Sequence, residues 1–389
     1  MEPTIADRLR GMFLLSAYGD AFGAGHEISS AIHPSPFPER LPTQNIGVSA
    51  SRWGYWVTQA EVGPTAKGIP TDDTAYKLFI LHPWLRSVLA GDSSFDENSF
   101  IQFISELRST PVSPAIFVQP RNAQIDNWKL MYDAADALPP RIKDFFKPNV
   151  PVVFGFFLFL EAAAFRTRYQ PVENYLYFRE ATRLDQGYAK SATGFLTSIV
   201  SQAFSSNPVQ QRFDGWFVQE SANLISALKT ASIDVQDVST IERILETMSE
   251  LGYSLRGSSP HEFMVSFEQA VVVPNQPPPF MDEPFKWPEH DPFRMLAEMI
   301  AATVYAEGDP HRAIQVLAFS SGDSDTVCTF LGTLMGIWFG EESLLQNANL
   351  TDDLTTVERV LTTVFEINLE ELIHTFRSLR GESNIDFLA

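Results

Sequence analysis

The sequence contains one cysteine, Cys328, among its 389 residues. One cysteine cannot form a disulfide within the chain and cannot supply the several thiolates of a structural zinc site. The seven histidines show no spacing typical of metal ligands. Any metal is therefore expected to be held by oxygen atoms. Such sparing use of cysteine is typical of a reducing compartment, so we predict a cytoplasmic protein.

Basic residues and long apolar runs are also scarce. Lys and Arg together number 28 against 48 Asp and Glu, which gives a net charge of −20. This acidic balance argues against nucleic-acid binding and against docking on an anionic membrane. The most apolar stretch, 150–165, contains Pro151 and Glu161 and is shorter than the ~18 residues of a membrane span. The N-terminal segment has no basic region ahead of its apolar part, so it predicts a helix and not a signal peptide.

Strand signals are limited to short runs at 53–57 and 271–273. Apolar residues instead recur with the period of an α-helix, and the fold class is predicted to be all-α. The predicted helices cover about 5–22, 71–89, 97–107, 152–167, 172–183, 188–204, 209–228, 238–252, 293–306, 310–318, 326–339, 355–365 and 368–379.

Two proline-rich segments, 32–70 and 274–292, are incompatible with regular helix. Both segments contain aromatic side chains that can be buried against the core, so we expect ordered loops that cover it. The sequence shows no repeat at solenoid spacing. Because the chemical motifs lie on both sides of each loop, we predict one domain over 1–389.

Three acidic clusters stand at predicted helix ends: 19–27, 68–74 and 320–326. Each has an ordinary structural explanation, because glycines stop helices and acidic residues cap helix starts. Asp20 fits that explanation poorly, since an acid near a helix C-terminus faces the unfavourable end of the dipole. The third cluster leads into a helix that is apolar on nearly every face, where unpaired carboxylates are costly. No Lys or Arg lies between 313 and 357, so the counter-charge comes from elsewhere in the fold or from a metal.

The second and third clusters together offer four carboxylates and two hydroxyls, from Thr71, Asp72, Asp73, Asp323, Asp325 and Thr326. Hard divalent cations take such oxygen ligands, and helix N-termini help to keep the carboxylates ionised. This donor set predicts a site for two Mg²⁺ or Mn²⁺ ions.

Three segments carry a family resemblance: GMFLLSAYGDAFGAGHE (11–27), TDDTAYKLFILHPWL (71–85) and HRAIQVLAFSSGDSDTVCTFLGTLMGIWFG (311–340). In this order they resemble the anchors of the ADP-ribosylglycohydrolase family, which includes the dinitrogenase reductase-activating glycohydrolases and the ADP-ribosyl-acceptor hydrolases. The resemblance implies a compact single-domain, orthogonal bundle of helices with a binuclear Mg²⁺ or Mn²⁺ centre.

The resemblance also implies roles for individual residues. The metal ligands would be Thr71, Asp72, Asp73, Asp323, Asp325 and Thr326. Glu27 would be a mobile metal ligand or a gate over the substrate ribose. For the mechanism we expect Glu27, Asp73 and Asp323 to be catalytic: Asp73 or Asp323 accepts a proton, and Glu27 assists or selects the leaving group. Asp20, behind the site, and Ser321 and Gly322, in the third motif, would contribute to substrate binding.

The middle of the chain departs from the family pattern. Residues 149–157 are bulkier than the family's glycine-rich turn, and Asp185 and Gln186 stand where members often carry Thr-His. We assign Phe154 and Gln186 to substrate binding; core packing is the alternative for Phe154.

The predicted function is metal-dependent hydrolysis of the bond between ADP-ribose and an acceptor, with an ADP-ribosylated protein or small molecule as partner and a monomeric enzyme. The alternatives are an inactive ADP-ribose binder on the same fold, a hydrolase of another ribosyl compound, and a protein whose acidic clusters are only helix caps.

Overall fold

A computed structural model describes residues 2–23, 70, 72–93, 97–111, 121–122, 125–126, 171–180, 187–273, 275–285, 291–319 and 323–381. Within these ranges the regular structure is helical and contains no strand, as predicted. The helices are α1 (Ile5–Gly23), α2 (Asp72–Tyr76), α3 (His82–Ala90), α4 (Glu97–Leu107), α5 (Pro171–Glu180), α6 (Tyr188–Ala203), α7 (Phe213–Thr230), α8 (Val235–Ser254), α9 (Pro260–Val271), α10 (Pro292–Tyr305), α11 (Pro310–Leu317), α12 (Ser324–Leu345), α13 (Thr351–Thr363) and α14 (Leu369–Gly381).

Two expectations about secondary structure were wrong. The run 271–273 is not a strand: Val271 ends α9, which the apolar periodicity did not predict. The start of α9 nevertheless carries a clear local signal. Ser259 and Glu262 form a capping box around Pro260, the first helical residue. The predicted segments 53–57 and 152–167 lie outside the described residues.

The helix predicted over 71–89 is interrupted by a π-helical turn, Lys77–Leu81, between α2 and α3. A π-turn adds a residue to the turn and so shifts the direction of the side chains that follow, and such turns are frequent at functional sites. This turn begins four residues after Asp73.

The described part of the second proline-rich segment, 275–285, contains turns and no helix, in line with its prolines. Phe280 is fully buried in the core, and its ring lies 6.1 Å from that of Phe285. The loop is therefore anchored by its aromatic residues. The first proline-rich segment lies outside the described residues apart from Pro70.

Among the described helices, α1 and α12 form the most extensive pair, and they run antiparallel. Small residues line their contact at four-residue intervals. A Cβ atom on Gly11, Gly19 or Gly23 would lie only 2.4, 2.3 and 2.3 Å from the carbonyl oxygens of Gly336, Cys328 and Ser324. Side chains at these positions would force the backbones apart. The close approach brings the end of α1 next to the start of α12.

Two shorter helices, α11 and α13, each contact both members of this pair. α10 contacts α8, α11 and α12, while α6 packs on α5 and α10. None of the helices in the described ranges combines the length and apolar character that a bilayer crossing requires.

Candidate metal centre

Three helix ends meet at one buried acidic group. Asp20 lies in the last turn of α1, and Asp73 and Asp325 are the second residues of α2 and α12. Each offers a carboxylate oxygen, and these atoms all lie within 4.8 Å of one another. All three residues are buried. We call Asp20, Asp73 and Asp325 the acidic triad.

Asp20 is held in the triad by the start of α2. Its Oδ2 accepts hydrogen bonds from the Thr74 backbone N–H (2.9 Å) and from Thr74 Oγ1 (2.6 Å). The first N–H groups of a helix have no partner within the helix, so an outside carboxylate can cap them. Asp20 thus faces the favourable end of the dipole of α2, although it stands at the unfavourable end of α1.

The start of α12 is fixed in a similar way. Ser324 Oγ donates a hydrogen bond to the carbonyl oxygen of Gly23 (3.0 Å), at the end of α1. The backbone N–H of Thr326 donates to Asp325 Oδ1 at 2.8 Å. Asp325 therefore receives support both from the N-terminus of its own helix and from the tight contact between α1 and α12.

Buried cations near these acids are few among the described residues. Lys77 is 2% exposed and lies one turn beyond Asp73. Arg8, also buried, donates instead to the carbonyl oxygens of Ala203 (2.8 Å) and Ile337 (3.1 Å). The sequence signal for Lys77 is a single lysine next to the apolar run 78–81.

The donor set of the triad fits a hard divalent cation. It consists of converging carboxylate oxygens without histidine or thiolate, which is the chemistry that Mg²⁺ and Mn²⁺ prefer. Three carboxylates in one buried place repel each other, and a cation between them would relieve that repulsion. The triad is therefore a candidate metal centre.

The structure brings together two of the predicted ligands, Asp73 and Asp325, and adds Asp20 to them. Thr326 is buried beside Asp325. Asp323 directly precedes α12 and is partly exposed, and it is not one of the three converging acids in the described part of the chain. Glu27, Thr71, Phe154, Gln186, Ser321 and Gly322 lie outside the described residues, as does the side chain of Asp72.

A second buried polar network lies on α10. Asp291-Pro292 predicts the cap of this helix, and the structure confirms it, but sequence reasoning missed the buried charges that follow. Asp291 caps this helix through the backbone N–H groups of Phe293 (2.9 Å) and Arg294 (3.2 Å), and it accepts a hydrogen bond from Tyr188. Burial raises the pKa of Asp291 to about 7, although these hydrogen bonds act in the opposite direction. Arg294 and Glu298, four residues apart on an otherwise apolar helix, were the available signal.

Comparison with known proteins accords with this architecture. A solved structure described as an ADP-ribosylglycohydrolase-related protein complex matches with a TM-score of 0.55 and 16% sequence identity. The match covers 97% of this chain and 99% of that chain, which shows a shared fold. None of the curated proteins compared matches the sequence. The family model described as ADP-ribosylglycohydrolase matches residues 1–369, and the chain therefore belongs to this family of glycohydrolase-type enzymes.

Proposed function

We propose that this protein is a metal-dependent hydrolase that cleaves the glycosidic bond between ADP-ribose and an acceptor. The observation that carries the proposal is the convergence of Asp20, Asp73 and Asp325 within 4.8 Å in a buried position. A protein that needed these acids only as helix caps would have no reason to bury three of them together, because their mutual repulsion lowers the free energy of unfolding.

The triad would hold the cation, with further ligands from the set predicted by sequence: Thr71, Asp72, Asp323 and Thr326. We propose two ions, because these residues offer more oxygen donors than one ion requires. When bound, Mg²⁺ or Mn²⁺ would supply Lewis acidity that orients ribose hydroxyls and makes water more acidic.

The chain's own residues would divide the remaining work. Asp323 is partly exposed at the start of α12, where water and a substrate can reach it, so we propose it as the proton acceptor. Asp73 is the alternative acceptor, and Glu27 would assist the leaving group. The N-terminal end of α12 and bound divalent cations would attract the substrate pyrophosphate locally, against the overall charge of −20.

The substrate would be an ADP-ribosylated protein or an ADP-ribose-containing small molecule, and we place the enzyme in the cytoplasm as a monomer. The bulkier segment 149–157 favours two alternatives: a different ribosyl substrate, and binding without turnover. The acceptor linkage is therefore part of the test.

The experiment measures release of free ADP-ribose from proteins modified at arginine and at serine, with Mg²⁺, with Mn²⁺ and with chelator. Wild type runs beside Asp325→Asn and beside Asp214→Asn, a control that removes a buried acid paired with Arg212 and Arg256. We expect metal-dependent release by wild type and the control, and a loss of at least 100-fold in Asp325→Asn. Binding of ADP-ribose without release from any substrate would contradict hydrolysis and favour a binder.

A further inference from the structure

Arg294 and Glu298 form a buried ion pair on α10 that the proposed reaction does not use. Their side chains are 1% and 3% exposed, and Arg294 Nε donates to Glu298 Oε1 at 2.9 Å. A terminal nitrogen of the same guanidinium donates to Glu268 Oε1 at 2.7 Å. One arginine thus holds two carboxyl groups, and the group of Arg294, Glu298 and Glu268 carries a formal charge of −1 when both are ionised.

Burial of such an ion pair lowers the stability of the folded state. Taking the charges out of water costs several kcal/mol per ion, and a packed apolar pair of similar volume is often as stable or more stable. The rest of α10 is buried and largely apolar. A role in folding alone therefore explains the pair poorly, and its location offers a better reason.

Glu298 lies on α10, which packs against α12, the helix that supplies Asp325. Asp323 is among the groups that raise the pKa of Glu298, after burial and Glu268, and the total shift brings that pKa to about 7. Burial raises the pKa of Cys328, one turn along α12 from Asp325, and the charges of Glu298 and Asp20 raise it further. The Glu298 carboxylate and Asp20 of the triad therefore act on the same part of α12.

We propose that Glu298 strengthens divalent-cation binding at the acidic triad through its charge, and that Arg294 is a positioning residue that fixes this carboxylate. This proposal rests on the proposed function. A negative charge outside the ligand set attracts the cation without contacting it, and water-free surroundings screen that attraction weakly. Arg294 provides two directed hydrogen bonds that a lysine could not reproduce, so the carboxylate stays in one place.

The test measures Mn²⁺ affinity of the full-length protein at pH 8, above the pKa of Glu298, from the loss of the free Mn²⁺ signal in electron paramagnetic resonance. Glu298→Gln keeps the shape of the side chain and removes its charge. We expect it to weaken Mn²⁺ binding about 10-fold, as changes in residues surrounding a metal site typically do. Arg294→Lys keeps the positive charge and loses the planar arrangement of donors. It should weaken Mn²⁺ binding less than Glu298→Gln does. Asp214→Asn is the matched control, with an expected change below twofold.

Thermal unfolding in chelator separates this effect from a fold defect. Glu298→Gln should melt within a few degrees of wild type in chelator, yet gain less from Mn²⁺. Wild-type affinity in Glu298→Gln, alongside lost binding in Asp325→Asn, overturns this inference and leaves the proposed function standing. Equal weakening in Glu298→Gln and Asp214→Asn also overturns it, because the effect would then be one of net charge. Absence of Mn²⁺ binding by wild type would overturn both proposals.

Discussion

At the scale of single residues, Asp20 explains how three acids can share one buried place. The negative end of the α1 dipole disfavours its carboxylate, but Thr74 on α2 donates two hydrogen bonds to it. Hydrogen bonds to a charged group contribute about 1.5–3 kcal/mol each, so this cap offsets a substantial part of the cost of burial.

Asp291, the cap of α10, supports a prediction about pH. Burial raises its pKa from 3.8 to about 7, so the folded protein holds this proton more tightly than the unfolded chain. The stability contributed by the protonated carboxyl is complete below about pH 4 and is lost as the pH rises towards 7. Asp291→Asn can still cap the helix, but it does not titrate. The unfolding free energy of wild type minus that of the variant should therefore fall with rising pH, by up to about 1.4 kcal/mol per unit.

Urea unfolding at several pH values between 4.5 and 7 measures this difference. Groups that titrate in both proteins cancel in the subtraction. The control is Glu262→Gln in the capping box of α9, where hydrogen bonds from Ser259 lower the pKa of the carboxyl, so this difference should not fall as the pH rises. A constant difference between wild type and Asp291→Asn across this range would show that Asp291 is already ionised at low pH.

At the scale of helices, the site depends on how closely α1 and α12 approach. At Gly11, Gly19 and Gly23 of α1, backbone atoms of α12 lie where a Cβ atom would be. Backbone atoms of α1 do the same at Gly332 and Gly336 of α12. Any separation of the two backbones moves Asp20 away from Asp325. The same contact therefore supports both the core and the triad.

Gly19→Ala is expected to lower stability and metal binding together. Its Cβ would lie 2.3 Å from the backbone oxygen of Cys328, which cannot move aside as a flexible side chain can. We expect a loss of at least about 2–3 kcal/mol in unfolding free energy and a weaker response of the melting temperature to Mn²⁺. Gly215→Ala on α7 is the control, because its nearest neighbour is a glutamine side chain at 3.6 Å. That variant should be neutral or more stable by up to about 1 kcal/mol; equal losses in both variants would contradict the packing argument.

At the scale of the whole molecule, the charge of −20 acts on stability in two ways. Self-repulsion destabilises the compact state and is screened by any salt. The triad adds a local repulsion that only a bound cation removes efficiently. The two contributions can be separated by comparing salts.

NaCl and MgCl₂ at equal ionic strength should therefore give different melting temperatures. We expect a rise of a few degrees in NaCl from screening, and a larger rise in MgCl₂, because a ligand that binds only the folded state stabilises it. In Asp325→Asn the excess due to Mg²⁺ should vanish, while the NaCl effect persists. Coincident curves for the two salts in wild type would mean that the triad has no preference for Mg²⁺.

The sequence by itself determined the all-α class, most of the helices and two of the three triad members. These properties depend on neighbouring residues in the sequence: apolar residues at helical spacing, and acidic residues at helix starts. The family resemblance could likewise be read from three short segments, and the family match over residues 1–369 confirmed it.

Only the tertiary structure decided which acids converge. Asp20 and Asp325 are 305 positions apart, and no local pattern says that α1 and α12 run antiparallel in backbone contact. The same holds for Glu298, whose relation to Asp323 depends on α10 packing against α12. Charges interact through space, so their effects on one another depend on the distances between them. Those distances are set by the fold and cannot be read from the order of residues.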